Sequence, residues 1–173
     1  MMFTISPAAA DDILELLPLI NGAYRGEVSR KGWTTEADLL AGELRTDAEN
    51  LRELIGKENA AILQCRDEGG GLVGCVYLEK RGDRMYLGML TVTPERQTAG
   101  IGKLLMQAAE SHAASEQCRA IYFRVLSGRH ELIAWYERRG YRLTGERQAY
   151  DAPAKFGTPT RFLEFEVMEK MII

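Results

Sequence analysis

Cysteine and histidine are scarce in this chain of 173 residues, at 3 and 2 copies, and each shortage removes a class of protein. Cys65, Cys75 and Cys118 are an odd set without C-x-x-C spacing, and two of them lie in apolar runs. That pattern suits buried, reduced thiols of a cytosolic protein, not a disulfide framework. With only His112 and His130, no metal-ligand spacing can be assembled, so no metal is expected. No apolar run approaches ~18 residues, and no charged segment followed by an apolar stretch opens the chain, so neither a membrane span nor a secretory signal is expected. Long runs of one charge are missing too. The balance of 25 acidic to 22 basic residues, net −3, offers no basic cluster of the kind a nucleic-acid partner needs.

What is present is ordinary globular material. The chain is 46% hydrophobic and 27% charged, close to globular averages and enough for a buried core. No repeat, low-complexity tract or linker interrupts it, so one domain over 1–173 is expected, soluble and cytoplasmic.

Periodicity divides the chain into a helical first third and a mixed remainder. Residues 2–5 read as a short strand ended by Ser6-Pro7. Ile13, Leu16, Leu17 and Ile20 recur at helical spacing, with Pro18 expected to kink the helix and Gly22 to stop it. Thr35 with Asp38 resembles a capping box opening a helix through Leu39, Leu40 and Leu44. A further short helix carries Leu51, Leu54 and Ile55. Strands are expected at 60–66, 72–80 and 85–93, the first two joined across Gly69-Gly70-Gly71. An amphipathic helix follows through Leu104, Leu105, Ala108, Ala109 and His112. Residues 120–126 form a near-continuous apolar strand, as in a sheet covered on both faces. A helix over about 130–139 and strands at 141–150 and 160–168 complete an α/β architecture on a mixed, mostly antiparallel sheet of about seven strands.

The chemistry concentrates between Leu90 and Met106. There a strand ends at Pro94, a tight turn holds Gly100 and Gly102, and a helix begins at once. Glycine lets another group approach the main chain. A helix start exposes unpaired N–H groups and partial positive charge, which together suit a phosphate or pyrophosphate. A P-loop requires Gly where Gln97 stands and Ser or Thr where Leu104 stands. The dinucleotide fingerprint requires Gly where Leu105 stands. What remains is Gln97-x-x-Gly100-x-Gly102.

That motif resembles the signature of the GNAT acetyltransferase superfamily. The later run Trp135-Tyr136-Glu-Arg-Arg-Gly140-Tyr141 is similar to the family's second motif, and the order of elements agrees from about residue 3 to 168. The resemblance implies acetyl transfer from acetyl-CoA to an amine in a ternary complex, without a covalent enzyme intermediate. Main-chain N–H groups across Gln97, Thr98, Ala99, Gly100, Ile101, Gly102 and Lys103 would hold the pyrophosphate, with the side chains at 98, 99 and 101 free to vary. The pantetheine arm would lie along Leu90 and Val92, near a bulge or splay marked by Gly88. Tyr136 stands where a relative's phenol protonates the leaving thiolate, and a phenol near pKa ~10 is protonated at neutral pH. Trp135 is expected to fill the core.

Departures from the family pattern leave two roles open. No carboxylate lies in 85–92, so Glu79 on the neighbouring strand or a chain of waters would take the amine's proton. Arg129 replaces the Asn usual seven residues before the tyrosine; it would contact a CoA phosphate or serve as a surface arginine. For the acceptor, Tyr24 and Trp33 are expected to wall a pocket in which Arg25 or Arg30 meets an acidic group of a small amine. The alternative is a connecting loop with Trp33 in the core. Tyr150 and Phe156 would close the other side. A small-molecule acceptor is preferred over a peptide lysine or N-terminus, the other alternative being a non-catalytic CoA-binding regulatory module, and a homodimer through terminal strands is possible by resemblance.

Overall fold

The computed structural model describes residues 2–172. In chain order the strands are β1 (Thr4–Pro7), β2 (Leu40–Ala41), β3 (Ala60–Arg66), β4 (Leu72–Arg81), β5 (Arg84–Val92), β6 (Ala120–Leu126), β7 (Arg142–Ala149), β8 (Thr158–Pro159) and β9 (Glu164–Met171). The helices are α1 (Ile13–Tyr24), α2 (Gly26–Ser29), α3 (Ala48–Gly56), α4 (Ile101–Ser115) and α5 (His130–Glu137). Seven strands form one sheet in the order β1-β3-β4-β5-β6-β9-β7, antiparallel except where β5 meets β6.

Side-chain alternation along the central strands assigns each helix a face. Val76 and Leu78 of β4 join the core built on α4 and α5, with Ile101, Leu105, Met106 and Ile133. Cys75 and Tyr77, one step out of phase, join the core built on α1 and α3, with Leu16, Ile20 and Leu51. The sheet is therefore covered on both faces, as the apolar strand 120–126 anticipates.

Three local expectations are corrected. Helix α1 runs through both Pro18 and Gly22 to Tyr24. Pro18 is exposed, so the carbonyl its ring leaves unbonded faces water. The Thr35–Asp38 segment opens no helix: the Thr35 hydroxyl accepts from the Ala37 N–H in a local turn. Leu40 and Ala41 instead pair with Pro159 and Thr158 in a separate two-stranded sheet.

The feature that positions the site is a bulge in β5. Cys75 pairs with Thr91 and Tyr77 with Gly88, so Met89 and Leu90 together oppose Val76. Met89, not Gly88, takes the left-handed backbone at φ 50°; its side chain is buried in the α1 core. The extra residue reverses the alternation. Before it, Met85 and Leu87 face α4; after it, Leu90 and Val92 do. Strand β5 also bends from its neighbour: parallel pairing with β6 is confined to Arg84–Tyr86 against Ala120–Tyr122. Beyond that point the two central strands diverge.

Candidate active site

Two cavities open at the divergence. The first, of about 240 Å³, lies over the start of α4 and is lined by Val92, Gln97, Thr98, Gly100, Gly102 and Lys103, with Trp135 and Arg139 from the α5 side. The second, of about 360 Å³, lies between the diverging strands, bounded by Tyr86–Leu90 on one and Phe123–Leu126 on the other. Both are lined by Tyr24, Leu90, Leu132 and Tyr136. These residues are the junction.

On the first side, Gly100 takes φ +82° immediately before α4, a turn that an L side chain would strain. Leu104 is the first α4 N–H to close on a backbone carbonyl outside the helix's own run, that of Gly100 at 3.1 Å. The N–H groups of Ile101, Gly102 and Lys103 therefore project from the helix end. A Cβ on Gly102 would stand 3.2 Å from the Trp135 ring, so glycine permits that approach. Trp135 is then a wall of this cavity as well as a partly buried residue packed against the core. Ile101 lends only its backbone; its side chain is fully buried in the core and is not free to vary. Ala99 and Thr98 are exposed.

The Gln97 side chain has work of its own. Its carboxamide oxygen accepts from the Trp33 N–H at 2.9 Å, and its nitrogen donates to Thr34 Oγ1 at 2.9 Å and the Val92 carbonyl at 3.1 Å. It thus ties the glycine turn to the 32–36 segment. The Leu90 carbonyl accepts from the Tyr24 hydroxyl. Side chains reach both carbonyls from the gap, so the N–H groups of Leu90 and Val92 also face it.

Tyr136 projects from α5 against Phe123, with ring centroids 4.3 Å apart. It is 6% exposed, and no hydrogen bond among the described residues engages its hydroxyl. Burial pushes the phenol well above its ordinary value, so it stays protonated through the physiological range. Tyr24 is pushed up to about 12 by burial, with Glu36 adding to the shift.

Several expected site residues sit elsewhere. Trp33 lines the first cavity, 5.9 Å from Trp135, and not the second. Arg25 does line the second, but its guanidinium is already engaged within the protein: it pairs with Glu36 and donates to the Phe156 carbonyl at 3.0 Å. Arg30 bonds to Glu27 and Asp38 on the surface. Arg129 is no surface arginine, and it lines the second cavity, not the one over the α4 start. Its side chain is 9% exposed and bridges Glu36 at 3.1 Å and the Thr34 carbonyl at 2.7 Å, on the second cavity's side.

Glu79 lines neither cavity. Tyr77, Lys57 and Arg81 all donate to it. Burial alone would raise its pKa, but the bonds from Arg81, Tyr77 and Lys57 outweigh that and hold it at about 2. A carboxylate so held is a poor base and a structural asset. Its folded value lies below its ordinary 4.5, so its contribution is complete above that pH and lost as pH falls toward 2. At ~1.36 kcal/mol per unit this is roughly 3 kcal/mol. Denaturant unfolding at pH 6 and pH 3 is expected to show a fall that is smaller in Glu79→Gln; an equal fall in both proteins would refute this.

Two residues lining the cavities have no sequence signal. Glu36 holds both arginines although they lie 11 and 93 residues away. Arg139 stacks over Trp135 at 3.6 Å, and its buried Nε has no hydrogen-bond partner. Among the described residues, no group of three or more His, Cys, Asp or Glu is placed to hold a metal, and no helix is long and apolar enough to cross a membrane.

Known proteins share this fold. The chain is similar in structure to a ribosomal-protein alanine N-acetyltransferase from Escherichia coli, with 16% identity, TM-score 0.73, and 99% of this chain and 94% of that one covered. It is similar to a spermidine N-acetyltransferase chimera from Vibrio cholerae at 16% identity and TM-score 0.74, covering 99% and 96%. A ribosomal-protein-alanine N-acetyltransferase from Brucella melitensis gives 20%, 0.71, 97% and 99%. These likenesses establish a shared fold. Among curated proteins, none matches the sequence significantly. The model of the acetyltransferase (GNAT) family matches residues 27–141, spanning the β5 bulge, the glycine turn and Tyr136, and the chain belongs to that family.

Proposed function

We propose that this protein transfers an acetyl group from acetyl-CoA to the amine of a small molecule, by direct attack in a ternary complex. The observation that carries the reading is the meeting of the two cavities at Tyr136 and Leu90. Acetyl-CoA would supply a thioester activated for attack by an amine. The first cavity fits it: projecting N–H groups at the α4 start and the Lys103 cation suit a pyrophosphate, and the unpartnered Arg139 Nε offers a further donor. The gap-facing N–H groups of Val92 and Leu90 would hold the pantetheine arm and polarise the thioester carbonyl. Tyr136 would give its proton to the departing sulfur.

Proton removal from the amine falls to solvent in this reading. The only carboxylates lining the second cavity, among the described residues, are Glu36 and Asp151. Arginines engage both. Those arginine charges also disfavour an ammonium beside them and so lower the amine's pKa. The cavity's volume and its lining by Tyr150 and Phe156 suit a small acceptor more than an extended chain. Relatives of the fold include enzymes named for spermidine and for ribosomal proteins, so the fold itself leaves the acceptor open.

Calorimetry with acetyl-CoA and thiol release in the presence of an amine panel test the reading. Acetyl-CoA is expected to bind, with about tenfold weaker affinity in Arg139→Ala, equivalent to ~1.4 kcal/mol. Thiol release is expected to depend on amine. Absence of acetyl-CoA binding would overturn the proposal.

A further inference from the structure

The second cavity holds more positive charge than its own carboxylates neutralise. Arg25, Arg45, Arg124 and Arg129 line it against Glu36 and Asp151. Arg25 and Arg129 share Glu36, and Arg124 takes Asp151 at 3.2 Å. Arg45 is left over: among the described residues, no carboxylate pairs with its guanidinium.

The backbone that carries Arg45 is fixed in place. Asn21 of α1 accepts from the Arg45 and Thr46 N–H groups at 2.6 and 2.9 Å and donates to the Thr46 carbonyl at 3.2 Å. Asp47 then caps α3 through the Asn50 N–H at 2.8 Å. With its main chain clamped on both sides, Arg45 places its guanidinium over the Tyr24 ring, 5.8 Å from the centroid. Tyr24 is the residue whose hydroxyl reaches Leu90 at the junction.

A second unmatched group lines the same cavity. The Tyr150 hydroxyl is buried and has no hydrogen-bond partner. Its ring is held by stacking on Phe165 at 5.7 Å, and Arg124 lies over the other ring of that stack at 4.2 Å. Arg25, Glu36 and Arg45 are the charges it senses beside Asp151. A buried hydroxyl without a partner is unfavourable, and a ligand oxygen would relieve it.

We infer that the acceptor is a small amine that also bears an anionic group, a carboxylate in the simplest case, received by the Arg45 guanidinium and the Tyr150 hydroxyl. An arginine fork and a phenol both donate to a carboxylate. The same positive excess opposes polycationic amines. The inference rests on the acetyl-transfer reading only for the amine's fate; recognition of the anion can be measured without turnover.

The test uses α-, β- and γ-amino acids, each beside its neutral amide, titrated calorimetrically into the full-length protein with and without CoA. At least one acid is expected to bind tenfold or more tightly than its amide. Arg45→Ala is expected to bring that ratio within twofold, Arg45→Lys to restore part of it, and Tyr150→Phe to reduce it about threefold, with CoA affinity unchanged in all three. If no acid outbinds its amide, or the preference survives Arg45→Ala, the inference is wrong. Selective binding without thiol release from acetyl-CoA would leave the anion subsite standing and defeat the acetyl-transfer proposal instead.

Discussion

Tyr136→Phe is expected to lower kcat on the order of 10²-fold, while the affinity for acetyl-CoA stays within twofold of wild type. The figure is the lower end of what a positioned general acid contributes, equivalent to roughly 2.7 kcal/mol in the barrier. Phenylalanine preserves the ring that packs on Phe123 and removes only a hydroxyl with no partner among the described residues. Stability should therefore hardly change, and the defect should be confined to the chemical step. Because burial raises the Tyr136 phenol, the hydroxyl keeps its proton across the assay range and adds no alkaline limb to the pH–rate profile. With solvent as the proton acceptor, wild-type rate should climb toward the acceptor amine's own pKa, and the variant should climb in parallel at a lower level. Stopped-flow or steady-state thiol release from pH 6 to 9, with calorimetry for affinity, reads both parts. An unchanged kcat would remove Tyr136 from the chemistry and leave it as part of the junction wall.

The positions of Tyr136 and the glycine turn were legible in sequence because their signals are local. Gly100 and Gly102 sit at a strand-to-helix junction whose hydrogen-bonding needs are set by neighbours in the chain. The strands at 60–66 and 120–126 declared themselves by apolar content, and the structure places them there. Helix boundaries were less readable where solvent excuses a broken bond, as at Pro18. The β5 bulge was misplaced by one residue. Glycine marks a flexible position, but Met89 could take the strained angle because its side chain gains a place in the α1 core.

What the sequence hid were pairings across long separations. Arg129 looks like a lone surface cation until the chain folds back by 93 residues to Glu36. Glu79 looks like an available base until Lys57 and Arg81 converge on it. Arg45 showed nothing at all: its meaning depends on the cavity it lines and on the carboxylate it lacks.

Glu36→Ala is the substitution expected to damage stability most, by about 3–5 kcal/mol, the usual result of stripping a buried ion pair of one partner. Arg25 and Arg129, with side chains only 3% and 9% exposed, would both lose their shared counter-charge. Each keeps a backbone carbonyl, at Phe156 and Thr34 respectively, so neither is left wholly without an acceptor. For a chain of this size the loss corresponds to a Tm lower by about 10 °C. Replacing Arg129 with Met in the same background is expected to recover part of the loss, because one of the two uncompensated charges is then gone. A loss below ~1 kcal/mol would show that the cluster is solvated in solution. The functional consequence reaches both cavities. Glu36 ends a segment that Gln97 grips at Trp33 and Thr34 and that Arg129 grips at Thr34. Freed at Glu36, that strap would loosen against the glycine turn on one side and the acceptor cavity on the other. KM should therefore rise for acetyl-CoA and amine together, whereas a change confined to the acceptor side would raise only the second.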